Sequence, residues 1–178
     1  MKKSFMTLAA VLCCIMTMGL MNSCKEEKQQ PTPPTPTEEK QLRAEYMFQG
    51  VEALRTYCDV TIEYYDSVGN IKSELLTQDK WEMTFWSEMP CKIGMRVSVK
   101  LKEGVGASTV PAVDLSYSYK CISLVNVGAS PGIEEDFSPI LREGEIAEWI
   151  EDTQNDGGLV NYLITFDKNG RYTEGKWK

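Results

Sequence analysis

From Leu42 onward the apolar residues of this chain recur at every second position. Cys58, Val60, Ile62 and Tyr64 alternate with Asp59, Thr61, Glu63 and Tyr65. Ile93, Met95, Val97, Val99 and Leu101 alternate with Gly94, Arg96, Ser98, Lys100 and Lys102, and Val160, Tyr162, Ile164 and Phe166 with Asn161, Leu163, Thr165 and Asp167. Successive side chains of a strand point to opposite sides, so this spacing builds half-buried antiparallel strands and not amphipathic helices. Turn chemistry separates the runs: Asp66-Ser67-Val68-Gly69-Asn70 in one place, and Asn169-Gly170, a strong hairpin signal, in another. With Lys168 opposite Arg171, Phe166 would pair with Thr173 and Tyr162 with Trp177, making the last residues a strand. The pattern predicts strands near 43–49, 54–65, 71–77, 81–87, 92–102, 114–127, 159–167 and 171–177. Residues 103–113, with Gly104, Gly106 and Pro111, read as a loop, and 128–158 as an acidic excursion holding a short helix or another strand.

Short strands with regular turns imply an all-β fold, a single antiparallel β-sandwich over 42–178 of immunoglobulin or transthyretin-like character. Val60, Ile62, Val97, Val99, Ile164 and Phe166 are its expected core. The immunoglobulin Cys–Trp–Cys pin is not matched, since the first Trp after Cys58 is Trp81. The run Ile62-Glu63-Tyr64, with Gly69 and Trp81 beyond it, resembles small accessory β-domains of bacterial envelope proteins.

The segment ahead of this domain has a different grammar. Lys2 and Lys3 precede an uncharged stretch, Ser4 to Ser23, with apolar residues concentrated around Leu8–Leu12 and Ile15–Met21. It closes in Leu20-Met21-Asn22-Ser23-Cys24, which resembles the lipobox of bacterial lipoproteins. The resemblance implies a signal peptide over 1–23, removed to leave Cys24 as a diacylglyceryl-modified N-terminus that enters the lipid bilayer. Acyl chains hold a protein at a membrane without a spanning helix, at about 0.8 kcal/mol per buried methylene. Lys25 to Gln41 (KEEKQQPTPPTPTEEKQ) has no large apolar residue and four prolines between 31 and 36, so 24–41 reads as a disordered linker behind the lipidated cysteine. Its 17 residues reach roughly 50 Å when extended at ~3.1 Å each. Glu26-Glu27 beside Lys25 resembles the short acidic export signal of Bacteroidetes-type surface lipoproteins. That implies an outer-membrane location, the cell surface favoured over the periplasmic face.

Charge and residue usage narrow the chemistry. With Lys2 and Lys3 removed, 17 basic residues stand against 26 acidic ones, a balance unsuited to nucleic acid, whose phosphates select basic faces. The chain has no histidine, which excludes Ser-His-Asp and Cys-His nucleophiles and histidine-bound zinc or iron. An enzyme is therefore not expected. Beyond the leader and Cys24, the cysteines are Cys58, Cys91 and Cys121, each on the apolar parity of an expected strand, which favours buried thiols over catalysis. An exported location would also permit one bridge among the three.

Two sets of residues remain as candidate sites. Residues 133–156 carry nine acids (Glu134, Glu135, Asp136, Glu143, Glu145, Glu148, Glu151, Asp152, Asp156) against Arg142, while the rest of the chain from Arg43 onward balances 13 acids with 13 bases. Asp152, Asn155 and Asp156, beside Gly157-Gly158, have the oxygen donors of a Ca²⁺ loop, without the strict alternation or closing Glu of an EF-hand. Trp81 shares parity with Met83 and Phe85 and belongs inside; Trp86 takes the opposite face, as Tyr65 does beside Tyr64, and such outward aromatics can stack on sugar rings. The expectation is a membrane-anchored, non-enzymatic binding or accessory module with an envelope protein or glycan partner. The alternatives are a cell-surface polysaccharide-binding protein and a calcium-dependent adhesion module.

Overall fold

A computed structural model describes residues 41–125 and 131–177. The leader, Cys24 and the linker up to Lys40 lie outside the described residues. Within them the chain forms an all-β sandwich of two packed antiparallel sheets. The first sheet contains β1 (Gln41–Gln49), β4 (Lys80–Glu88), β7 (Tyr117–Val125) and β8 (Gly132–Phe137), in the order β4-β1-β7-β8. The second contains β2 (Cys58–Tyr65), β3 (Ile71–Leu75), β5 (Cys91–Leu101), β10 (Val160–Phe166) and β11 (Tyr172–Gly175), in the order β11-β10-β5-β2-β3. A small sheet pairs β6 (Val113–Asp114) with β9 (Ile140–Leu141).

The period-two pattern becomes the core directly. Leu42, Ala44, Tyr46 and Phe48 of β1 face Val60, Ile62 and Tyr64 of β2, Ile93, Met95, Val97 and Val99 of β5, and Val160, Ile164 and Phe166 of β10, all buried. Each such aliphatic or aromatic side chain contributes about 1.5–3 kcal/mol by leaving water. All six residues expected in the core are there. One contact also joins the sheets through a polar atom. The β2–β5 ladder stops at Tyr64 opposite Met95, and one step further the Tyr46 hydroxyl enters the gap. It accepts the Gly94 N–H at 3.1 Å and donates to the Tyr65 carbonyl at 3.2 Å, replacing the missing rung with a side chain from the other sheet.

The two hairpins of the second sheet use one turn design. Asp66 and Asp167 each begin a three-residue loop, with Gly69 (φ +83°) and Gly170 (φ +81°) in the left-handed position that glycine adopts without strain. Asp66 Oδ1 accepts the N–H of Val68 and of Asn70, and Asp167 Oδ1 those of Asn169 and Arg171. This corrects the register read from Asn169-Gly170. Asp167 pairs with Arg171 across three residues, so Phe166 lies opposite Tyr172 and Thr165 opposite Thr173. A three-residue loop with its last position left-handed is the next most common hairpin after the two-residue one, and the difference shifts the partner strand by one residue.

Helices occupy two places where strand or undecided structure was expected. Residues Glu52–Arg55 form a single turn, α1, because Val51 and Leu54 are both buried at a helical spacing. The acidic excursion resolves into β8, β9 and α2 (Ile146–Asn155). Ile146 and Ile150 of α2 are buried with Trp149 packed beside them, a stripe at helical spacing. The helix ends in paired glycine bonds: Gly157 N–H to the Gln154 carbonyl at 2.9 Å and Gly158 N–H to the Thr153 carbonyl at 2.7 Å.

Strand directions sort the connections to opposite ends. Gln41, the turns 66–70 and 167–171 and the β4–β5 corner, with its cis Met89–Pro90 bond, share one end. The other end holds α1, the loop 102–112, the β6–β9 pair and α2.

Candidate functional site

At the end where β1 begins, an open cleft of about 540 Å³ lies between the β2–β3 turn and the β4–β5 corner. Gln41, Val68, Trp86, Ser87, Pro90 and Cys91 line it. Two apolar side chains stand at its rim, Val68 at 77% exposure and Trp86 at 54%. The Ser87 hydroxyl, buried beneath, donates to the Ser67 carbonyl at 3.0 Å and ties the turn to β4. Burial pushes the half-buried Cys91 thiol up, against a hydrogen bond with Ser87 that pulls it down, so it stays protonated at neutral pH. Gln41 and Glu88 add exposed polar side chains to the lining, so the cleft can stack and hydrogen-bond a ligand.

Trp86 is on the outward parity of β4, as its alternation with Phe85 requires, and its cross-strand neighbour on β1 is Arg43. Tyr65 is outward too, but on the second sheet, so the structure does not bring the two expected aromatics together. Tyr65 packs instead on Trp177, ring centroids 4.7 Å apart. Trp177 is fixed over the sheet by its N–H to Asn161 Oδ1 at 2.7 Å and its indole N–H to the Tyr162 carbonyl at 3.0 Å. Arg96 lies 5.6 Å from the Trp177 ring and bonds Glu63 at 2.7 Å, while Lys92 lies 5.7 Å from the Tyr65 ring. This group is a half-buried aromatic patch held by its own contacts. Trp81 sits inward, half-buried against Tyr46 and Tyr64.

The oxygen-rich loop expected at 151–158 is instead the end of α2. Asp152, Asn155 and Asp156 share one exposed side of that helix end. The carbonyls of Asp152, Thr153 and Gln154 accept the N–H groups of Asp156, Gly158 and Gly157, so they do not turn toward an ion. Among the described residues no group of three or more Asp, Glu, Cys or His side chains is placed to hold a metal. Two other acids of the excursion are used in structure: Glu135 accepts the Tyr119 hydroxyl at 2.7 Å, and Glu145 the Arg142 N–H at 2.9 Å.

The three cysteines are free. Cys58 and Cys121 are buried, and desolvation raises both thiols, Cys58 to about 11. Such thiols are weak nucleophiles at neutral pH.

Sequence reasoning found Trp86 but missed Val68 and the Met89–Pro90 corner. Val68 carried a signal, being a branched apolar residue in a turn otherwise made of Asp, Ser, Gly and Asn. The corner carried none, because its place beside Gln41 depends on the pairing of β1 with β4, which sets Gln41 opposite Glu88. No family model, curated protein or solved structure matches this chain. No helix among the described residues is long and apolar enough to cross a membrane.

Proposed function

We propose that this chain is an outer-membrane lipoprotein, anchored through acylated Cys24, whose β-sandwich acts as a non-enzymatic binding or accessory module for another envelope component. The observation that carries the reading is the Trp86 cleft beside Gln41, where the proline-rich segment meets β1. Its exposed apolar rim and polar floor suit recognition, and its one thiol is protonated at neutral pH. A partner held there lies at the end of the domain where β1 begins.

Three experiments test this. Cys24→Ala should release the protein from the membrane fraction, and blocking lipoprotein signal peptidase should accumulate a precursor heavier by the leader; a mature N-terminus elsewhere defeats the anchor. Photo-crosslinking in intact cells should then give adducts from position 68 or 86 and none from position 143 on the opposite end. Equal capture from both ends removes the cleft from the proposal.

The exposed Trp86 indole favours a second reading, polysaccharide capture, because an open aromatic face beside hydrogen-bonding groups suits a sugar ring. Glycan-array binding that disappears in Trp86→Ala would select it over a protein partner. Hydrolysis of any glycan would overturn both.

A further inference from the structure

The edge strand β3 has its polarity inverted. Its five residues, Ile71-Lys72-Ser73-Glu74-Leu75, are exposed along their whole length. Lys72 and Glu74 pair with Tyr64 and Ile62 and so share their inward side, while Ile71 and Leu75 turn outward at 55% and 56% exposure. The inward charges are engaged: Glu74 accepts the Tyr64 hydroxyl at 2.5 Å and the Trp81 indole N–H at 3.1 Å, and Lys72 lies 3.6 Å from Asp66. Inward-pointing charges on an edge strand deter pairing with foreign strands. Here the two charges are of opposite sign and placed symmetrically about Ser73.

The ladder fixes which backbone groups are free. Asp66 N–H bonds the Asn70 carbonyl at 2.9 Å, and Leu76 N–H the Val60 carbonyl at 2.8 Å. Bonded and non-bonded pairs alternate between these limits, so Lys72 and Glu74 face β2 with their N–H and C=O groups while Ile71, Ser73 and Leu75 direct theirs to the open edge.

We propose that this edge pairs with the same edge of a second copy of the chain, antiparallel about Ser73. A two-fold axis there sets Ser73 against its twin, Ile71 against Leu75, and Lys72 against Glu74. The three residues with free backbone groups fall opposite one another, each pair exchanging both N–H···O bonds. Lys72 and Glu74 fall in the closer, non-bonded pairs, where opposite charges attract and like charges repel. The edge is therefore self-complementary, as a two-fold interface requires. The guard charges that repel other strands select this one. An edge of five residues joins a small area, so the dimer is weak and concentration-dependent.

Sedimentation velocity of the full chain over a concentration series should show a reversible monomer–dimer equilibrium. Ser73→Pro deletes an N–H that faces the open edge and not β2, a position where an edge strand tolerates proline. It should leave the monomer's circular dichroism unchanged and weaken dimerisation at least about tenfold. Lys72→Glu and Glu74→Lys provide a second arm that decides the matter if Ser73→Pro fails to fold: each variant alone should stay monomeric, and an equimolar mixture should dimerise. A chain monomeric at every concentration overturns the proposal, as does a dimer indifferent to all three substitutions. Capture of an extended peptide at β3 by a chain that never self-associates also overturns it, in favour of strand addition by a foreign partner.

Discussion

At the end where β1 begins, Asp66 and Asp167 each draw two backbone N–H groups onto one carboxylate oxygen, and the strands reverse within three residues. At the other end most reversals are longer, and although Glu145 accepts the Arg142 N–H within one of them, burial organises them more than local bonds do. There, Leu54, Val110, Leu141, Ile146 and Ile150 reach into the core and hold α1, the loop and α2 against the sheets. The first end takes its shape from local hydrogen bonds, the second from tertiary burial. The first keeps the larger cleft, about 540 Å³ against about 320 and 250 Å³ at the second, and the second carries the acids Glu143, Glu145, Glu148, Glu151, Asp152 and Asp156.

This contrast can be broken most severely at Gly158. Its φ is +123°, and a Cβ there would stand 2.4 Å from the Val97 carbonyl, a backbone atom that cannot swing aside. Gly158→Ala should cost about 3 kcal/mol or more in urea unfolding, because strain and collision fall together at the junction of α2 and β10. A cost below about 1 kcal/mol would show that the helix end moves independently of the sheet.

A smaller effect is expected from Tyr46→Phe, which keeps the ring and removes the hydroxyl. The Gly94 N–H and Tyr65 carbonyl then lose their shared partner, at about 1–3 kcal/mol for buried groups left unpaired. Amide exchange at Gly94 should accelerate while that at Val99, at the far end of the same strand, changes less. Uniform acceleration along β5 would mean that the ends unfold as one.

The smallest effect sharpens the role of the turns. Bonds from the N–H groups of Arg171 and Asn169 hold the Asp167 carboxyl below its ordinary range; at Asp66 desolvation opposes, but the bonds from Asn70 and Val68 prevail. A depressed folded pKa contributes stability that is present above the ordinary Asp value of about 3.9 and is lost as pH falls through the folded value. The urea midpoint should thus drop on acidification below about pH 4, and Asp66→Asn with Asp167→Asn should flatten that decline. An unchanged acid slope would assign the turns' shape to glycine alone.

The same division governs what could be read from sequence. Val60, Ile62, Val97, Val99, Ile164 and Phe166 announced their burial because a strand's period of two is a local property. Trp86 was placed outward on the same ground. The Asp167 turn was legible as a turn but not in its length, since Asn169-Gly170 also suits a two-residue loop and only the pairing of Phe166 with Tyr172 decides. Residues 146–153 do carry a helical stripe in Ile146, Trp149 and Ile150, but three apolar residues among nine acids are too short a pattern to separate helix from strand. The cleft was least accessible, because Gln41, Val68 and Pro90 are distant in sequence and meet only when the sheets stack.

The position of β1 has a mechanical consequence. All nine of its residues pair with β4, and residues Leu42–Gln49 pair also with β7. A pull on Gln41 along the strand therefore strains both flanking ladders in shear, many rungs together, instead of peeling them open one by one as it would at an edge. The Tyr46 hydroxyl extends the same load into the second sheet. Drawn by its leading strand, the domain should yield at a high force and in a single step.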